Sequence, residues 1–404
     1  ICRRPVGDLS ETCRSHPVRV ARSLDPVERP PEHVYLDHAA STLTRPEVVE
    51  AMLPWLTDHP GNPSGAHRLA RDARRAIDDA RDAVAALVGS DPGGVVFTSG
   101  GTEANNLALR VLPKRAPILC SAVEHASVLS VMDGIVEIPV DGDGVVDLGA
   151  LEALLAGEDT PALVSVMLAN NETGVLQPVA DVAALAHEHG ALIHCDAVQA
   201  AGKMAIDFRA LGCDLMSLSA HKIGGPSGVG ALVVTSGVEG DLALIPMLRG
   251  GGQERGRRAG TENVPGIAGF GAAARAAREG LTDFARLGRW RERIENRLRQ
   301  RADSRVYGFG APRLANTSCL TMPGVEAETQ VIQLDLAGVA VSAGAACSSG
   351  KVEPSRVLAA MGVDANEAAT AIRVSLGWNT TEDDADKFVE AWIQVYGQAQ
   401  AHAA

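Results

Sequence analysis

Lys222 is a first residue whose type and position could do chemistry. It closes the SAHK motif of residues 219–222, at the end of an apolar run and just before Gly224 and Gly225. A lysine at such a position is poorly solvated, which lowers its pKa and favours the neutral amine. A neutral amine can form a Schiff base with a carbonyl group. The local sequence leaves an alternative open, a loop lysine that points into water.

Asp196 follows directly on the predicted strand at residues 192–195. A carboxylate at the C-terminal end of a buried parallel strand is costly unless it is paired, and ligands gather at such strand ends in α/β sheets. A protonated pyridine nitrogen is a suitable partner, and Gln199, three residues further on, could reach the same ligand. The open alternative is that Asp196 caps the next helix.

A glycine-containing motif, SGGTEAN at residues 99–105, follows a predicted strand and opens a predicted helix. Free backbone N–H groups and the positive end of a helix favour a phosphate there, and Thr102 adds a hydroxyl group. A plain tight turn is the alternative for this motif alone. A phosphate cradle, an acid for a ring nitrogen and a Schiff-base lysine, on one α/β scaffold, together predict a pyridoxal 5'-phosphate (PLP) site.

Further motifs link the chain to a known family. Together they resemble the class V aminotransferase-like, fold-type I PLP enzymes, and more narrowly the cysteine desulfurases of the NifS/IscS type, from Val34 to about Trp392. The motifs are Tyr35-Leu36-Asp37, Gly61-Asn62-Pro63-Ser64, Phe97-Thr98-Ser99-Gly100-Gly101-Thr102-Glu103, Glu124-His125, Asn170-Asn171-Glu172-Thr173-Gly174, Asp196-Ala197-Val198-Gln199, Ser219-Ala220-His221-Lys222, residues 250–263, Ala346-Cys347-Ser348-Ser349-Gly350 and Ile372-Arg373-Val374-Ser375-Leu376-Gly377.

The resemblance implies a role for each matching residue. Lys222 would hold PLP and later move protons, with His125 and Cys347 as the other catalytic residues. Asn171 and Arg373 would bind the substrate carboxylate, which an arginine fork fits with two hydrogen bonds; a surface ion pair is the alternative for Arg373. The implied cofactor contacts are Asp196 with the pyridine nitrogen, Gln199 with the ring hydroxyl, His125 stacked on the ring, Thr102, Ser219, His221 and the Gly101 backbone with the phosphate, Asn171 beside the cofactor, and Thr261 with the phosphate in the other chain of a homodimer.

Cys347 distinguishes the implied reaction from others of the family. It lies in a run of small residues, 342–350, and such a run bends easily. A cysteine there could enter a site, take up sulfur and swing out to deliver it, whereas an unremarkable loop thiol is the alternative. The other six cysteines are scattered without a CxxC pair, which argues against disulfides and against an intrinsic metal site. Cys347 itself could ligate a cluster during transfer.

The resemblance therefore implies a cysteine desulfurase, a sulfurtransferase that converts L-cysteine to L-alanine and leaves a persulfide on Cys347. The sulfur would pass to an iron–sulfur scaffold protein or to another sulfur carrier. A selenocysteine lyase and a class V aminotransferase are alternative enzymes. A catalytically silent scaffold homologue is a third alternative, although such a protein is expected to have lost Lys222, Asp196 or Cys347.

The elements that must position these residues alternate along the chain. Strand patterns at 95–98, 118–121, 136–140, 163–168, 192–195, 215–219 and 230–234, with helices between them, predict an α/β fold with a mostly parallel sheet, which the resemblance makes seven-stranded. Helices are predicted after Ser64 as N-cap and up to Gly89, after Val179, after Asp207, over 284–301 and from Thr381 onward. We expect a flexible extension at 1–32, a large PLP-binding domain at 46–281, and a smaller α+β domain from 33–45 and 282–404 that carries the Cys347 loop.

Composition sets the outer limits. The chain has 404 residues, a net charge of −13 and 46% hydrophobic residues, which favours a folded globular protein. Acidity argues against a nucleic-acid partner, and no apolar run approaches the ~18 residues of a membrane span. Unpaired cysteines favour the reducing cytoplasm and mostly buried thiols.

Overall fold

A seven-stranded sheet lies at the centre of the fold in the computed structural model, which describes residues 33–111, 116–157, 162–235, 244–344 and 355–403. The sheet order is β2-β8-β7-β6-β5-β3-β4. All neighbours are parallel except that β8 runs antiparallel to both β2 and β7. The predicted α/β class with a mostly parallel sheet is confirmed. The strands of the chain are β1 Val34–Tyr35, β2 Val95–Thr98, β3 Ile118–Ser121, β4 Val136–Ile138, β5 Leu163–Ser165, β6 Leu192–Asp196, β7 Leu215–Ser219, β8 Gly230–Val234, β9 Thr317–Thr321, β10 Val339–Ala340, β11 Ser342–Ala343 and β12 Ala371–Ser375.

The buried strands of this sheet are mostly apolar because helices cover them, as is typical of parallel sheets. On one side, Gly271 lets two long helices approach closely, since a Cβ atom there would lie 2.6 Å from Cα of Ala80. The helices are α1 Pro46–Thr57, α2 Arg68–Val88, α3 Gly101–Ala108, α4 Ala126–Leu129, α5 Leu148–Ala156, α6 Val179–Glu188, α7 Val264–Glu279, α8 Leu281–Ala285, α9 Leu287–Arg301, α10 Ala327–Leu336, α11 Arg356–Ala360, α12 Ala365–Ala368 and α13 Glu382–Ala403.

A second apolar cluster surrounds a three-stranded antiparallel sheet of order β11-β12-β9. Helix α13 contributes Phe388 and Trp392 to it, both fully buried, which fits the apolar face predicted for the C-terminal helix. The chain from Val34 to Ala404 forms one unit by its contacts. The division into a large domain at 46–281 and a small domain from 33–45 and 282–404 stays a prediction, as does the extension at 1–32.

Two predicted helix positions are wrong. Helix α2 begins after His67, whose ring accepts a hydrogen bond from the backbone of Ala70, and not after Ser64. Its predicted end is correct, because Gly89 adopts a φ of 69° as the C-cap. After Asp207 the chain forms a turn and no helix. The carboxylate of Asp207 accepts two backbone hydrogen bonds there, and Gly212, with a φ of 70°, ends the turn.

The predicted strands are in the right places, but three have different ends. The strands predicted at 136–140 and 163–168 stop at Ile138 and Ser165, where the chain leaves the ladder. The loop after Ser165 borders the cavity described below. The strand predicted at 192–195 continues to Asp196, which is paired in the sheet with Ser217. Asp196 is therefore the last residue of a central strand and not the start of a helix.

Candidate active site

A cavity of about 290 Å³ lies at the carboxyl ends of β6 and β7. The two strands are adjacent and parallel, so Asp196 and Ser219 reach the same edge of the sheet. Ligands bind at this edge in open α/β sheets. Of the residues predicted to form the site, the ones that line the cavity are Gly101, Thr102, His125, Asn171, Asp196, Gln199, Ser219, His221, Lys222 and Arg373.

Asp196 is 5% exposed and both of its carboxylate oxygens accept hydrogen bonds. Oδ1 accepts from the backbone N–H of Val198 over 2.9 Å, and Oδ2 accepts from Nδ2 of Asn105 over 2.8 Å. Two donors therefore fix the orientation of the carboxylate. The side chain lines the cavity, where a positively charged ring nitrogen could contact it.

Asn105 is a residue of this site that the sequence analysis missed. Its Nδ2 also donates to Oγ of Ser127 over 2.8 Å, so that it links Asp196 to the loop of His125. Its Oδ1 is buried and has no partner among the described residues. The spacing could have revealed it, because Asn105 lies three residues after Thr102 in helix α3 and residues at that spacing share a helix face.

Lys222 lies in the short helical turn that follows β7. Its Nζ donates to the backbone carbonyl oxygens of Ala39 and Ala40, over 2.5 and 2.7 Å. Both carbonyls belong to the segment after β1, so the N-terminal part of the described chain holds this amine at the cavity wall. The lysine predicted to react with a carbonyl group therefore does border the same space as Asp196.

The N-terminus of α3 forms the end of the cavity suited to an anion. Gly100, with a φ of 154°, starts the helix, and Gly101 lies so close to Val198 that a Cβ atom there would be 2.8 Å from its Cγ2. Backbone N–H groups at this helix start face the cavity with the positive end of the helix. Burial, and then the charge of Lys222, lower the pKa of His221 to about 4, so its imidazole is neutral and can still donate one N–H.

His125 and its ring are fixed by the chain that follows it. The backbone N–H of Ser127 donates to Nδ1 over 3.1 Å, and Oγ of Ser127 lies 2.8 Å from the same nitrogen. His125 thereby caps the short helix α4. An acceptor role for Nδ1 leaves the proton of the neutral ring on Nε2.

Arg373, on β12, is 4% exposed. Its Nη1 donates to the backbone oxygen of Asn171 over 2.9 Å, and its Nη2 donates to Oδ1 of Asp37 over 2.8 Å. Its Nε is buried without a partner among the described residues. The alternative of a surface ion pair is wrong, because this guanidinium is buried at the cavity wall and its Nε still has an N–H to offer.

Two residues of the predicted site remain, Cys347 and Thr261, and of these Thr261 does not line the cavity. Cys347 is outside the described residues. Glu172, in the predicted NNETG motif, accepts a hydrogen bond from Oγ of Ser355 over 2.6 Å, and a Cβ atom on Gly344 would lie 2.9 Å from its Oε2. Glu172 thus contacts the described residues on either side of the segment that carries Cys347.

Thr261, the second of these residues, is exposed. The loop before it is anchored to β2 by Glu254, which accepts two hydrogen bonds from Arg81 and one from the backbone N–H of Phe97 over 2.9, 2.7 and 3.0 Å. Glu254 and Arg255 have positive φ angles of 46° and 58°, an uncommon conformation for residues other than glycine. Thr261 therefore comes after a loop whose conformation is held by contacts within the same chain.

The described residues were also compared with the patterns of metal sites and of membrane-spanning helices. The described side chains include no set of three or more His, Cys, Asp or Glu placed to hold a metal ion. Each helix within these ranges is too short or too polar to span a bilayer. The described cysteines, Cys120, Cys195, Cys213 and Cys319, are buried free thiols, as the sequence predicts.

Comparisons with known proteins agree with the geometry. A cysteine desulfurase of Cereibacter sphaeroides is 46% identical over 384 residues, which cover 92% of this chain and 97% of that protein. One from Klebsiella pneumoniae is 43% identical over 368 residues, covering 89% and 91%. The solved NifS-like protein of Rickettsia africae ESF-5 superposes with a TM-score of 0.83 at 36% identity, covering 90% of this chain and 99% of that one.

SspA, solved in complex with cysteine, superposes with a TM-score of 0.72 at 31% identity, and the match covers 85% of this chain and 98% of that one. The family described as Aminotransferase class-V matches residues 34–388, which is most of the chain. On this match and on these identities, the chain belongs to the class-V aminotransferase family.

Proposed function

We propose that the protein is a cysteine desulfurase, a sulfurtransferase that uses PLP and L-cysteine. The observation that carries the proposal is that Asp196, Lys222 and Arg373 border one cavity. They supply a carboxylate for a ring nitrogen, an amine for an aldehyde and a guanidinium for a carboxylate. Relatives named cysteine desulfurase at 46% and 43% identity support the choice of reaction, and a similar protein solved with cysteine supports the substrate.

The residues present fit PLP on observations of their own. Asn105, whose buried Oδ1 has no partner among the described residues, lines the cavity together with the carboxylate of Asp196. The start of α3, which borders the same cavity, favours an anion. When bound, PLP supplies an electron sink for the charge left at the α-carbon of an amino acid. We assign the aldehyde carbon to Lys222, the pyridine nitrogen to Asp196, the ring face to His125, the ring hydroxyl to Gln199, and the phosphate to the Gly101 backbone, Thr102, Ser219 and His221.

The substrate would be held by its carboxylate. Arg373 offers the buried Nε that lacks a partner among the described residues, beside Asn171. A guanidinium held on two sides presents its remaining N–H groups with little loss of entropy. Bound in this way, the α-carbon of L-cysteine faces Lys222, whose amine takes up the α-proton and can return it to the product.

Sulfur transfer is assigned to Cys347. Its thiolate attacks the sulfur atom of the bound substrate, a sulfur–sulfur bond forms, and the carbon–sulfur bond breaks. The electron pair of the broken bond stays with carbon, which takes up a proton to give L-alanine. The enzyme retains the sulfur as a persulfide, so the step balances without an outside oxidant or reductant. An iron–sulfur scaffold protein or a sulfur carrier would then accept the sulfur.

We further propose a homodimer in the cytoplasm, in which Thr261 of one chain reaches the phosphate site of the other. Exposed apolar side chains on helix α1 and in the segment before Thr261 support such an association. Leu53 and Leu56 of α1 are 43% and 64% exposed, and Met247 and Leu248, which precede the Thr261 loop, are 39% and 46% exposed. Apolar side chains clustered on a surface commonly mark a protein interface.

The test of the proposed function is a stoichiometry. The purified holoenzyme, supplied with L-cysteine and a reductant, should release alanine and sulfide in equal amounts. Without reductant, the peptide that carries Cys347 should gain the mass of one sulfur atom. Cys347→Ser should bind PLP and L-cysteine but release neither product, because a hydroxyl group is a poor nucleophile toward sulfur. Cys213→Ala, which removes a buried thiol, is the matched control and should keep both products.

The same assay separates the alternatives. A class V aminotransferase would transfer the amino group to a keto acid and would not depend on Cys347. A silent scaffold homologue would bind PLP without turnover. Alanine formation at an undiminished rate in Cys347→Ser would overturn the persulfide step, and a ratio of sulfide to alanine far from one would overturn the reaction itself.

A further inference from the structure

A second lysine lies beside the site and has no part in the chemistry described so far. Lys203 is 6% exposed, and it comes four residues after Gln199 in the turn that follows β6. Gly202, with a φ of 70°, packs so tightly that a Cβ atom there would be 2.8 Å from Cβ of Ala277. The tight packing of Gly202 therefore fixes the conformation of the turn, and this turn places Lys203 in the interior.

Lys203 has a defined hydrogen bond. Its Nζ donates to Oε1 of Gln199 over 2.7 Å. Among the described residues it forms no ion pair with a carboxylate, which is unusual for a buried lysine. Burial, and then the charges of Lys222 and Arg373, hold the pKa of Lys203 well below its ordinary value.

The other end of the Gln199 amide is fixed as well. Nε2 of Gln199 donates to the backbone oxygen of Ala39 over 2.8 Å, the same oxygen that accepts from Nζ of Lys222. A carbonyl oxygen can only accept, so the amide nitrogen must face Ala39 and the amide oxygen must face Lys203. An NH₂ group carries two hydrogens, and Gln199 borders the cavity, which leaves the second hydrogen for a ligand there.

We propose that Lys203 is a positioning residue, whose hydrogen bond to Gln199 fixes the amide so that it presents a donor, and not an acceptor, to the ring oxygen of the cofactor. A donor favours the ionised form of that oxygen, whereas a flipped amide would place its own oxygen there and disfavour it. The proposal rests on the proposed function, because it assigns the ring oxygen of PLP to Gln199.

The spacing of Asp196, Gln199 and Lys203 shows how one turn serves this purpose. Asp196 ends the strand, Gln199 follows in the turn, and Lys203 closes it with its backbone N–H donating to Ala200 O over 3.0 Å. One short segment thus supplies the acid, the amide and the lysine that orients the amide. The sequence alone could have suggested Lys203 only from this spacing.

The test is a pH titration of the visible absorbance of the bound cofactor, between about pH 6 and pH 10. Lys203→Met keeps the length of the side chain but not its hydrogen bond. The absorbance transition should move to higher pH by at least about half a pH unit, because the amide is then held at one end only. Lys387→Met, at an exposed lysine that pairs with Asp383, is the matched control and should leave the transition in place.

A double-mutant cycle separates positioning from charge. The cationic and titratable groups around Lys203 are Lys222, His221, Arg373, His38 and Arg45. If Lys203 acted through its charge on them, Lys203→Met would shift the transition equally in a Gln199→Ala background. If it acts through the amide, the second substitution should add nothing, which is the expected result.

Two further variants keep the inference falsifiable if Lys203→Met does not retain the cofactor. Lys203→Gln keeps a donor for Gln199 and should shift the transition less than Gln199→Glu, which replaces the donor by a carboxylate oxygen. An unchanged transition in Gln199→Glu, or a full shift that persists without Gln199, would overturn the inference. Alanine formation from L-cysteine, measured on the same wild-type sample, tests the proposed function independently of these spectra.

Discussion

Arg373 and Asp37 form a partly buried ion pair at the wall of the cavity, with Nη2 and Oδ1 separated by 2.8 Å. The backbone of Asn171 occupies the second terminal nitrogen. The guanidinium is therefore held on two sides before any substrate arrives, by the segment that follows β1 and by the backbone of Asn171. The negative charge of Asp37 offsets part of the positive charge of Arg373. Binding of a substrate carboxylate therefore depends more on the orientation of the guanidinium than on its charge.

This relationship predicts the effect of Arg373→Lys. A lysine keeps the charge, but it cannot hold Asp37, Asn171 and a carboxylate in one plane. We expect KM for L-cysteine to rise on the order of ten- to one-hundredfold, with a smaller change in kcat, since carboxylate binding is made in both ground and transition state. Steady-state kinetics of alanine formation is the measurement.

Asp37→Asn is the matched variant for that experiment. It keeps a hydrogen-bond acceptor for Nη2 but removes the charge, so KM should change less than in Arg373→Lys. If Arg373→Lys left KM unchanged, Arg373 would not bind the substrate carboxylate.

Asp196→Asn should slow the removal of the α-proton. A neutral amide stabilises a protonated ring nitrogen far less than a carboxylate does, so kcat should fall by orders of magnitude, a few kcal/mol of barrier. The cofactor should remain bound through the start of α3 and His221. Rapid-mixing spectroscopy with α-deuterated L-cysteine measures the step directly.

Asn105→Ala is the companion to that variant. It removes the 2.8 Å hydrogen bond to Asp196 but keeps the carboxylate. The loss of kcat should be clearly smaller than in Asp196→Asn. Equal activity of Asp196→Asn and the wild type would remove the proposed pyridine contact.

His194 predicts a dependence of stability on pH. It is fully buried between Ser165 and Ser217, and burial lowers its pKa from 6.5 to about 4. As the pH falls below 6.5, the unfolded chain takes up a proton first. The stabilisation is therefore present above pH 6.5, is lost progressively below it, and is gone once the pH has fallen through about 4. For this one group the loss is ~3 kcal/mol by pH 4.

Urea unfolding of the wild type and of His194→Gln, at a series of pH values, measures this contribution. The variant should be less stable at pH 7, but its free energy of unfolding should fall less steeply toward pH 4. His189→Gln, at an exposed helix end, is the control. Parallel curves for the wild type and His194→Gln would show that His194 is not the group involved.

Mixing two inactive chains tests the shared site. In a dimer of Lys222→Ala with Thr261→Ala, one site has lost both residues and the other has kept both. Random pairing makes half of the dimers mixed, so about a quarter of the sites should recover at limiting PLP. Each variant alone should remain weak under the same conditions. Sedimentation should show a dimer in all three samples, and a monomer at working concentration would contradict the shared site.

The sequence predicted those site residues that lie at the ends of strands or in the glycine-containing motif before a helix. Asp196, Ser219 and Lys222 stand where apolar runs end, and the SGGT motif stands where a helix starts, so their common edge follows from the parallel order of β6 and β7. Side-chain partners were not predictable in this way. Asn105 and Asp196 are 91 residues apart in the chain, and only the folded backbone decides which amide reaches which carboxylate.

Helix capping could also not be predicted from the sequence at two positions. Ser64 and Asp207 are both of residue types that commonly cap helices. Helix α2 is nevertheless capped by His67, and the chain after Asp207 forms only a turn. Both outcomes depend on packing: His67 is followed by a helix that buries against α7, while the turn after Asp207 must return the chain to β7 within a few residues. Tertiary contacts overrode local preference there.

The two consecutive residues of positive φ, Glu254 and Arg255, bear on how two chains would meet. Contacts within one chain, from Arg81 and Phe97, hold this uncommon backbone in place. The loop therefore loses its conformational entropy when the single chain folds, and no further loss is needed when two chains associate. Two such chains would dock as nearly rigid bodies, and encounter between them would be governed by diffusion and orientation, without a slow rearrangement of the surface that carries Thr261.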